Sequence, residues 1–260
     1  MWQKAQELRE KFRKHQLVIG GHSFFTDPAI TNLLGYHGFE FVWIDGEHGA
    51  FTLPVILQHI MAAGDANTAS LVRIAWNDPV LVKPVLEMGP DGIIFPFVRT
   101  VEEARAAIAS CTYPPKGNRG FGPRRALQYG CLDVDDYLKQ ADESILKILQ
   151  IEHKDAVESL DEIVMVEGVD IIVVGSNDLS ASYGMIGKTR DERMMKIYDQ
   201  IADICKKRNM PFGVSLGSTD YDSMKDWIDR GVVFIGCGDD IGYMSEGCKS
   251  THRASACAHI

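Results

Sequence analysis

Eight short runs rich in β-branched and aromatic residues punctuate the chain, most of them bounded by Gly, Asp or Pro. They cover 17–21, 39–45, 70–74, 92–97, 145–152, 170–175, 211–216 and 232–238. Most are continuous in apolar residues rather than alternating, which is the pattern of strands covered on both faces in a parallel sheet. Amphipathic segments lie between them and carry helix signals. Asp27-Pro28 and Asp78-Pro79 place a capping carboxylate before a proline at the first helical position. Thr100 with Glu103 three residues on forms a capping box. Gly64, Gly89, Gly168 and Gly231 are predicted to stop helices shortly before the next strand or its leading loop.

Strand followed by helix, eight times with short connections, requires parallel pairing through crossover helices. Eight such units in about 250 residues predict one closed TIM (β/α)8 barrel, with 1–260 as a single domain. A doubly wound open sheet is the runner-up, but it usually has five or six strands. Residues 1–14 are predicted to form an extra helix with Ala5, Leu8 and Phe12 on one face, closing the barrel bottom or making a subunit contact. About 48 residues separate the fourth and fifth strands, and the stretch 113–126 within them is expected to be a lid or a subunit contact.

Composition narrows the class. The chain has 260 residues, 45% of them hydrophobic and 24% charged, which is ordinary for a packed globular protein. A net charge of −9 disfavours a nucleic-acid partner, whose phosphates call for a basic surface. No apolar run approaches the roughly 20 residues of a membrane span, and the charged N-terminus does not read as a secretory signal. Six scattered cysteines without a C-x-x-C pair read as reduced thiols in a cytoplasmic protein.

In a barrel of this kind, chemistry gathers at the C-terminal strand ends. Those ends carry His22, then Asp45, Glu47 and His48, then Arg73, then Gln150 and Glu152, then Ser176, Asn177 and Asp178, and Ser215. Charges at the ends of apolar strands are costly unless paired or metal-bound, so this rim is the candidate site. Glu152 and Asp178 follow adjacent strands and could share one cation, with waters and a chelating substrate completing a site for Mg²⁺, Mn²⁺ or Co²⁺. Asp45 and His48 on one turn suit a general base whose imidazole is oriented by a carboxylate. Arg73 would stabilise a developing enolate oxygen, or form a salt bridge to Glu47 or Asp45. Backbone N–H groups at Asn177 and Asp178 could bind a carboxylate. His22 could touch substrate, whereas His153 reads as a loop residue and His15, His37, His59, His252 and His259 as solvated surface. Arg119, Arg124 and Arg125 could hold a neighbouring subunit or a substrate. Of the lysines, Lys83, Lys147 and Lys154, only Lys147 lies on a strand, so a Schiff-base mechanism is disfavoured.

The segments IDGEHG (44–49), VRIAWNDP (72–79), YPPKGNRGFG (113–122), LQIEHKDAVESLDEI (149–163) and GVDIIVVGSNDLSASYG (168–184) resemble the HpcH/HpaI aldolases over roughly residues 15–245. The resemblance is to the 4-hydroxy-2-oxoheptanedioate aldolase type. It implies a TIM barrel in a homo-oligomer, a trimer or a hexamer of trimer pairs, and a class II metal-dependent aldolase. Such an enzyme would cleave a 4-hydroxy-2-oxo acid to pyruvate and an aldehyde, as in aromatic-compound catabolism. It further implies Glu152 and Asp178 as metal ligands, His48 and Asp45 as the base dyad, Arg73 as enolate stabiliser and Gln150 as a polar contact near pyruvate. The backbone of Asn177–Asp178 would hold the pyruvate carboxylate. Departures from the family pattern fall at Ser176-Asn177, His22, Ser215 and Gly49-Ala50, mostly toward the aldehyde end. Alternatives using the same site are oxaloacetate decarboxylation and cleavage of a CoA ester, the latter needing a basic groove that only the 116–125 loop offers. A metabolite-binding barrel without catalysis would be expected to lack His48, Arg73 or a metal carboxylate, and all are present.

Overall fold

The computed structural model describes residues 3–257, with side chains through residue 255. Its eight strands are β1 (Val18–Ser23), β2 (Phe41–Asp45), β3 (Ala69–Arg73), β4 (Gly92–Phe95), β5 (Leu146–Ile151), β6 (Ile171–Gly175), β7 (Phe212–Leu216) and β8 (Phe234–Asp239). They close into a parallel barrel in sequence order, β8 returning to pair with β1. The helices are α1 (Gln3–Arg13), α2 (Ala29–Tyr36), α3 (Leu53–Asp65), α4 (Pro79–Glu87), α5 (Val101–Cys111), α6 (Val134–Gln140), α7 (Lys154–Glu158), α8 (Leu160–Ile163), α9 (Ser176–Ser182), α10 (Glu192–Lys207), α11 (Tyr221–Asp229) and α12 (Asp240–Cys257). All eight expected strands are present and the barrel expectation holds. The residues expected at His259 and the last positions of the C-terminal tail lie outside the described residues. No described helix is long and apolar enough to cross a membrane.

The local signals act much as their chemistry requires. Thr100 accepts from the Glu103 N–H, and Glu103 accepts from Arg99 N–H, closing the capping box one residue earlier than the reciprocal form. Asp78 accepts from Val80 N–H at the start of α4. Gly89, Gly168 and Gly231 take left-handed φ values of 67°, 95° and 92°. Gly64 does not end its helix. It lies inside α3, and Asn67, at φ 54°, makes the left-handed exit instead. His59, expected at the surface, is fully buried on α3 and hydrogen-bonds Thr31 through Nδ1 at 2.8 Å. Its helix face packs on α2, which the one-dimensional pattern did not reveal.

Two apolar layers follow from the two-residue strand period. Outward residues such as Val42, Ile44, Val72, Leu149, Val174 and Ile235 pack beneath the helices. Inward residues, among them Phe41, Trp43, Leu71, Ile94, Ile148, Val173 and Phe234, fill the barrel. Ala5, Leu8 and Phe12 of α1 belong to that inner cluster, so α1 plugs the N-terminal end of the barrel.

The long insertion is placed by topology. It leaves the C-terminus of α5 and enters the N-terminus of β5, so it lies at the barrel bottom, away from the strand ends. Arg119 is buried there, donating to Tyr137 Oη at 3.0 Å and lying over the Tyr113 ring. Arg125 donates to the Met88 and Gly89 carbonyls, and Arg9 of α1 donates to the Glu143 and Ile145 carbonyls. The expectation of a lid over this chain's own strand ends is therefore corrected, and the insertion's basic residues offer no groove at that rim; its alternative reading as a subunit contact is unaffected.

At the same end, Asp91 accepts from the Ser70 N–H and hydroxyl, both at 2.9 Å, and burial pushes its pKa up to about 6. The folded carboxyl keeps its proton to higher pH than the unfolded one, so the native state binds more protons between about pH 4 and 6. Stability associated with Asp91 is thus full below that window and declines as pH rises through it. Relative to Asp91→Asn, the wild type should lose on the order of 2 kcal/mol between pH 4 and 7, read from urea unfolding at a series of pH values. Parallel pH profiles for the two proteins would refute the assignment.

Candidate active site

The inward positions change character at the last turn of the strands. On β2 the inward series runs Phe41, Trp43, Asp45, and on β3 it runs Ala69, Leu71, Arg73. On β5 it runs Leu146, Ile148, Gln150, with Glu152 next. On β7 it ends at Ser215, which pairs with Gly175 of β6 and Gly236 of β8. The same period that packs the barrel therefore aims a ring of polar side chains into its mouth.

Asp45 is fully buried, and two of the four hydrogen bonds to its carboxylate are local. Its Oδ1 accepts from the Glu47 and His48 main-chain N–H groups at 3.0 and 2.9 Å, pinning the turn. The Arg73 guanidinium bonds both carboxylate oxygens, Nε lying 3.2 Å from Oδ1, while Nη1 reaches Glu47 Oε2 at 2.7 Å. Both salt bridges weighed for Arg73 are thus present, and the group remains at the rim over the Trp43 ring at 5.4 Å. The His48 ring differs from expectation. It is not hydrogen-bonded to Asp45, its side chain is 59% exposed, and its Nε2 lies 3.9 Å from Glu47 Oε2. Asp45 positions His48 through the backbone, because its carboxylate is already occupied by two amides and a guanidinium.

Across the mouth, Glu152 is buried and accepts from the Phe97 N–H at 2.8 Å and from the Gln150 side-chain amide. Burial, with the negative charges of Glu47 and Asp178, pushes the Glu152 pKa up to about 8. Glu47 is raised as well, chiefly by its burial. Asp178 sits half-buried in the first turn of α9 beside Ser176 and the exposed Asn177. No cluster of three or more metal-type ligands occurs among the described residues. The donor set is two carboxylates, Glu152 and Asp178, in a field of like charge, together with a buried Gln150 Oε1 that has no partner. Such a set fits a hard divalent cation whose remaining ligands come from water and substrate.

Sequence reasoning missed two elements of this wall. Phe97 adopts φ 51°, which turns its N–H toward Glu152. A non-glycine residue in that conformation leaves no mark in the sequence. Gly175 is the other: a Cβ there would lie 2.4 Å from Glu152 Oε2 and 2.7 Å from Gln150 Nε2. Its glycine within an apolar run was the available signal.

The remaining expected groups are distributed as follows. His22 is buried and bonds Ser215 Oγ at 2.9 Å and the Gly238 carbonyl at 2.8 Å. His153 caps α7, accepting from Asp155 N–H, as its loop reading implies. Lys147 points out of the barrel near its base and donates to the Asp142 carbonyl, while Lys83 and Lys154 are exposed on helices. None enters the mouth. Gly175→Ala should displace the Glu152 carboxylate and weaken Mn²⁺ binding by about tenfold or more, with the circular dichroism spectrum retained. Unchanged Mn²⁺ affinity by electron paramagnetic resonance titration would show that the close approach of Gly175 is immaterial.

A family model described as HpcH/HpaI aldolase/citrate lyase matches residues 23–246. A 5-keto-4-deoxy-D-glucarate aldolase from Enterobacter sp. (strain 638) is 33% identical over 228 residues, 87% of this chain and 88% of that protein. The protein of the same name from Salmonella arizonae is 34% identical over 235 residues, 90% of each chain. The solved HpcH/HpaI aldolase from Desulfitobacterium hafniense DCB-2 superposes with a TM-score of 0.85 at 27% identity, covering 93% of this chain and 95% of that one. The citrate synthase SbnG superposes at 0.86, also with 27% identity, covering 96% and 98%. With the barrel, the polar rim and these similarities in agreement, the chain belongs to the HpcH/HpaI aldolase/citrate lyase family, whose aldolases are carbon–carbon lyases.

Proposed function

We propose that this protein is a class II aldolase that reversibly cleaves a 4-hydroxy-2-oxo acid to pyruvate and an aldehyde. The observation that carries the reading is the opposition, across one barrel mouth, of the Glu152–Asp178 carboxylates and the buried Asp45–Arg73–Glu47 network. Glu152 and Asp178 would hold Mg²⁺, Mn²⁺ or Co²⁺, which when bound supplies Lewis-acid polarisation of the 2-oxo group. Gln150 lies against Glu152 and offers its free Oε1 to the same space.

The chain's own groups divide the work. Main-chain N–H groups of Asn177 and Asp178, in the first turn of α9, receive the pyruvate carboxylate, with Ser176 alongside. His48, held by its backbone to Asp45, takes the proton of the C4 hydroxyl. The C3–C4 bond then breaks, its electrons pass into the enolate of pyruvate, and the aldehyde leaves. Arg73 presents a permanent positive charge to the developing enolate oxygen. Because Asp45 and Glu47 already fix its guanidinium, little reorganisation accompanies that charge. A proton returned to C3 completes pyruvate. His22 and Ser215 line the arc left for the aldehyde half.

The similarity to 5-keto-4-deoxy-D-glucarate aldolases makes a hydroxylated sugar diacid a natural first substrate to try. The similarity to a citrate synthase favours keeping a second reading, in which the same enolate site serves another electrophile or leaving group, as in oxaloacetate decarboxylation. We further infer a cytoplasmic homo-oligomer, a trimer or hexamer. Leu33 and Tyr36 on α2, with Ile241 and Met244 on α12, leave apolar surface exposed that subunit contact would cover.

The test is pyruvate release from a panel of 4-hydroxy-2-oxo acids by EDTA-stripped protein, with and without added Mn²⁺. Metal-dependent release is expected. Release from oxaloacetate alone would transfer the assignment to decarboxylation, and no release from any of them with metal bound would refute it. His48→Ala and Arg73→Ala should each lower kcat by ~10² or more, and a wild-type rate in either would remove the role given to that residue.

A further inference from the structure

His22 lies flat across a strand that has no side chain beneath it. It points inward from β1 and reaches over β8 to Ser215 on β7, and the crossing is possible because Gly236 intervenes. A Cβ at Gly236 would lie 2.8 Å from His22 Cε1 and 3.0 Å from Nε2. One extra residue sits in β8 between the pairs Gly20–Gly236 and His22–Asp239. At that bulge Gly238 takes φ 64°, and its carbonyl accepts from His22 Nδ1. The Trp43 ring, 5.0 Å from the imidazole, closes the inner side.

With the ring neutral, these contacts fix the direction of both hydrogen bonds that run from Gly238 through His22 to Ser215. A carbonyl can only accept, so Nδ1 carries the ring proton. The ring is 4% exposed and burial lowers its pKa, so it is neutral and Nε2 is an acceptor. Ser215 must then donate its only proton to Nε2 at 2.9 Å. What Ser215 has left, on its half-buried side toward the mouth, is oxygen lone pairs. An ordinary serine adapts to donors and acceptors alike, whereas this one is committed to accepting.

Resting on the aldolase reading above, we propose that Ser215 determines specificity by accepting a hydrogen bond from a hydroxyl group on the aldehyde half of the substrate. The metal carboxylates occupy the β5–β6 sector and Arg73 the β3 sector, so the β7–β8–β1 arc is where that half lies. Hydroxy-aldehydes are selected over alkyl aldehydes, and over aldehydes presenting only an acceptor, since an acceptor facing the Ser215 lone pairs gains nothing and loses its water.

The experiment is condensation with pyruvate in the Mn²⁺-loaded enzyme, comparing glycolaldehyde, propanal and 2-fluoroacetaldehyde. The fluorine of the last matches a hydroxyl in size but cannot donate. Ratios of kcat/KM are compared between wild type and Ser215→Ala, so that the intrinsic electrophilicity of each aldehyde cancels. The wild-type preference for glycolaldehyde over both analogues should fall about tenfold in Ser215→Ala. Ser215→Thr, which keeps the hydroxyl, should restore most of it, and His22→Phe, which frees Ser215 to donate, should shift the ratio toward fluoroacetaldehyde. An unchanged ratio in Ser215→Ala overturns the proposal. If Ser215→Ala does not fold, Ser215→Gly is compared with the wild type by the same ratios, and an unchanged ratio there overturns the proposal. Exchange of the pyruvate C3 protons in D₂O by the wild type separates the two levels. Exchange without hydroxyl discrimination defeats only the role of Ser215, whereas absence of metal-dependent exchange defeats the aldolase reading and this proposal with it.

Discussion

A carboxylate with no exposure to water holds together one wall of the barrel's C-terminal mouth. Asp45 accepts from two main-chain amides of the turn that follows it and from the guanidinium of Arg73 on the next strand. Removing any one of those donors would leave a buried negative charge short of a partner, at a cost of several kcal/mol. The arrangement therefore behaves as a unit. The turn that carries His48, the rim position of Arg73 and the inward lean of Glu47 all follow from satisfying one charge. This also explains why Asp45 is not bonded to the imidazole, since its oxygens are already committed.

The opposite wall is built on a different economy of charge. Glu152 feels the negative charges of Glu47 and Asp178, offset in part by Arg73, and burial raises the energy of its ionised form further. Structure that was only meant to be stable would place an arginine or lysine there. The absence of one among the described neighbours of Glu152 other than Arg73, which is already neutralised by Asp45 and Glu47, leaves a local excess of negative charge suited to a divalent ion. Phe97 N–H, Gln150 and the missing Cβ of Gly175 then set where the Glu152 carboxylate stands.

The two ends of the barrel hold their polar groups differently. The N-terminal end is plugged by α1, tied by Asp91 to Ser70, and skirted by the insertion through Arg119 and Arg125. The C-terminal end carries the exposed and strained groups, His48 at its turn and Phe97 in a left-handed conformation. Rigid packing below allows geometry above that would be unfavourable in isolation.

Strand and helix identity was legible from the chain because periodicity and capping are local. The apolar runs gave the eight strands, Thr100 and Asp78 their caps, and Gly89, Gly168 and Gly231 their helix exits. The polar residues at the strand ends named most of the candidate rim for the same reason: a two-residue period and a known strand direction place them. What the chain alone did not determine is anything that depends on a partner distant in sequence. The burial of His59, the turn of Phe97 toward Glu152 and the side of the barrel taken by the insertion all belong to that class. The commitment of Asp45 Oδ1 to main-chain amides rather than to the His48 ring escaped it too, though those partners are local. Hydrogen-bond direction is the extreme case. His22, Ser215 and Gly238 are separated by about 200 residues of chain between the first and the last two, and only closure of β8 onto β1 makes one carbonyl decide which way a serine proton points.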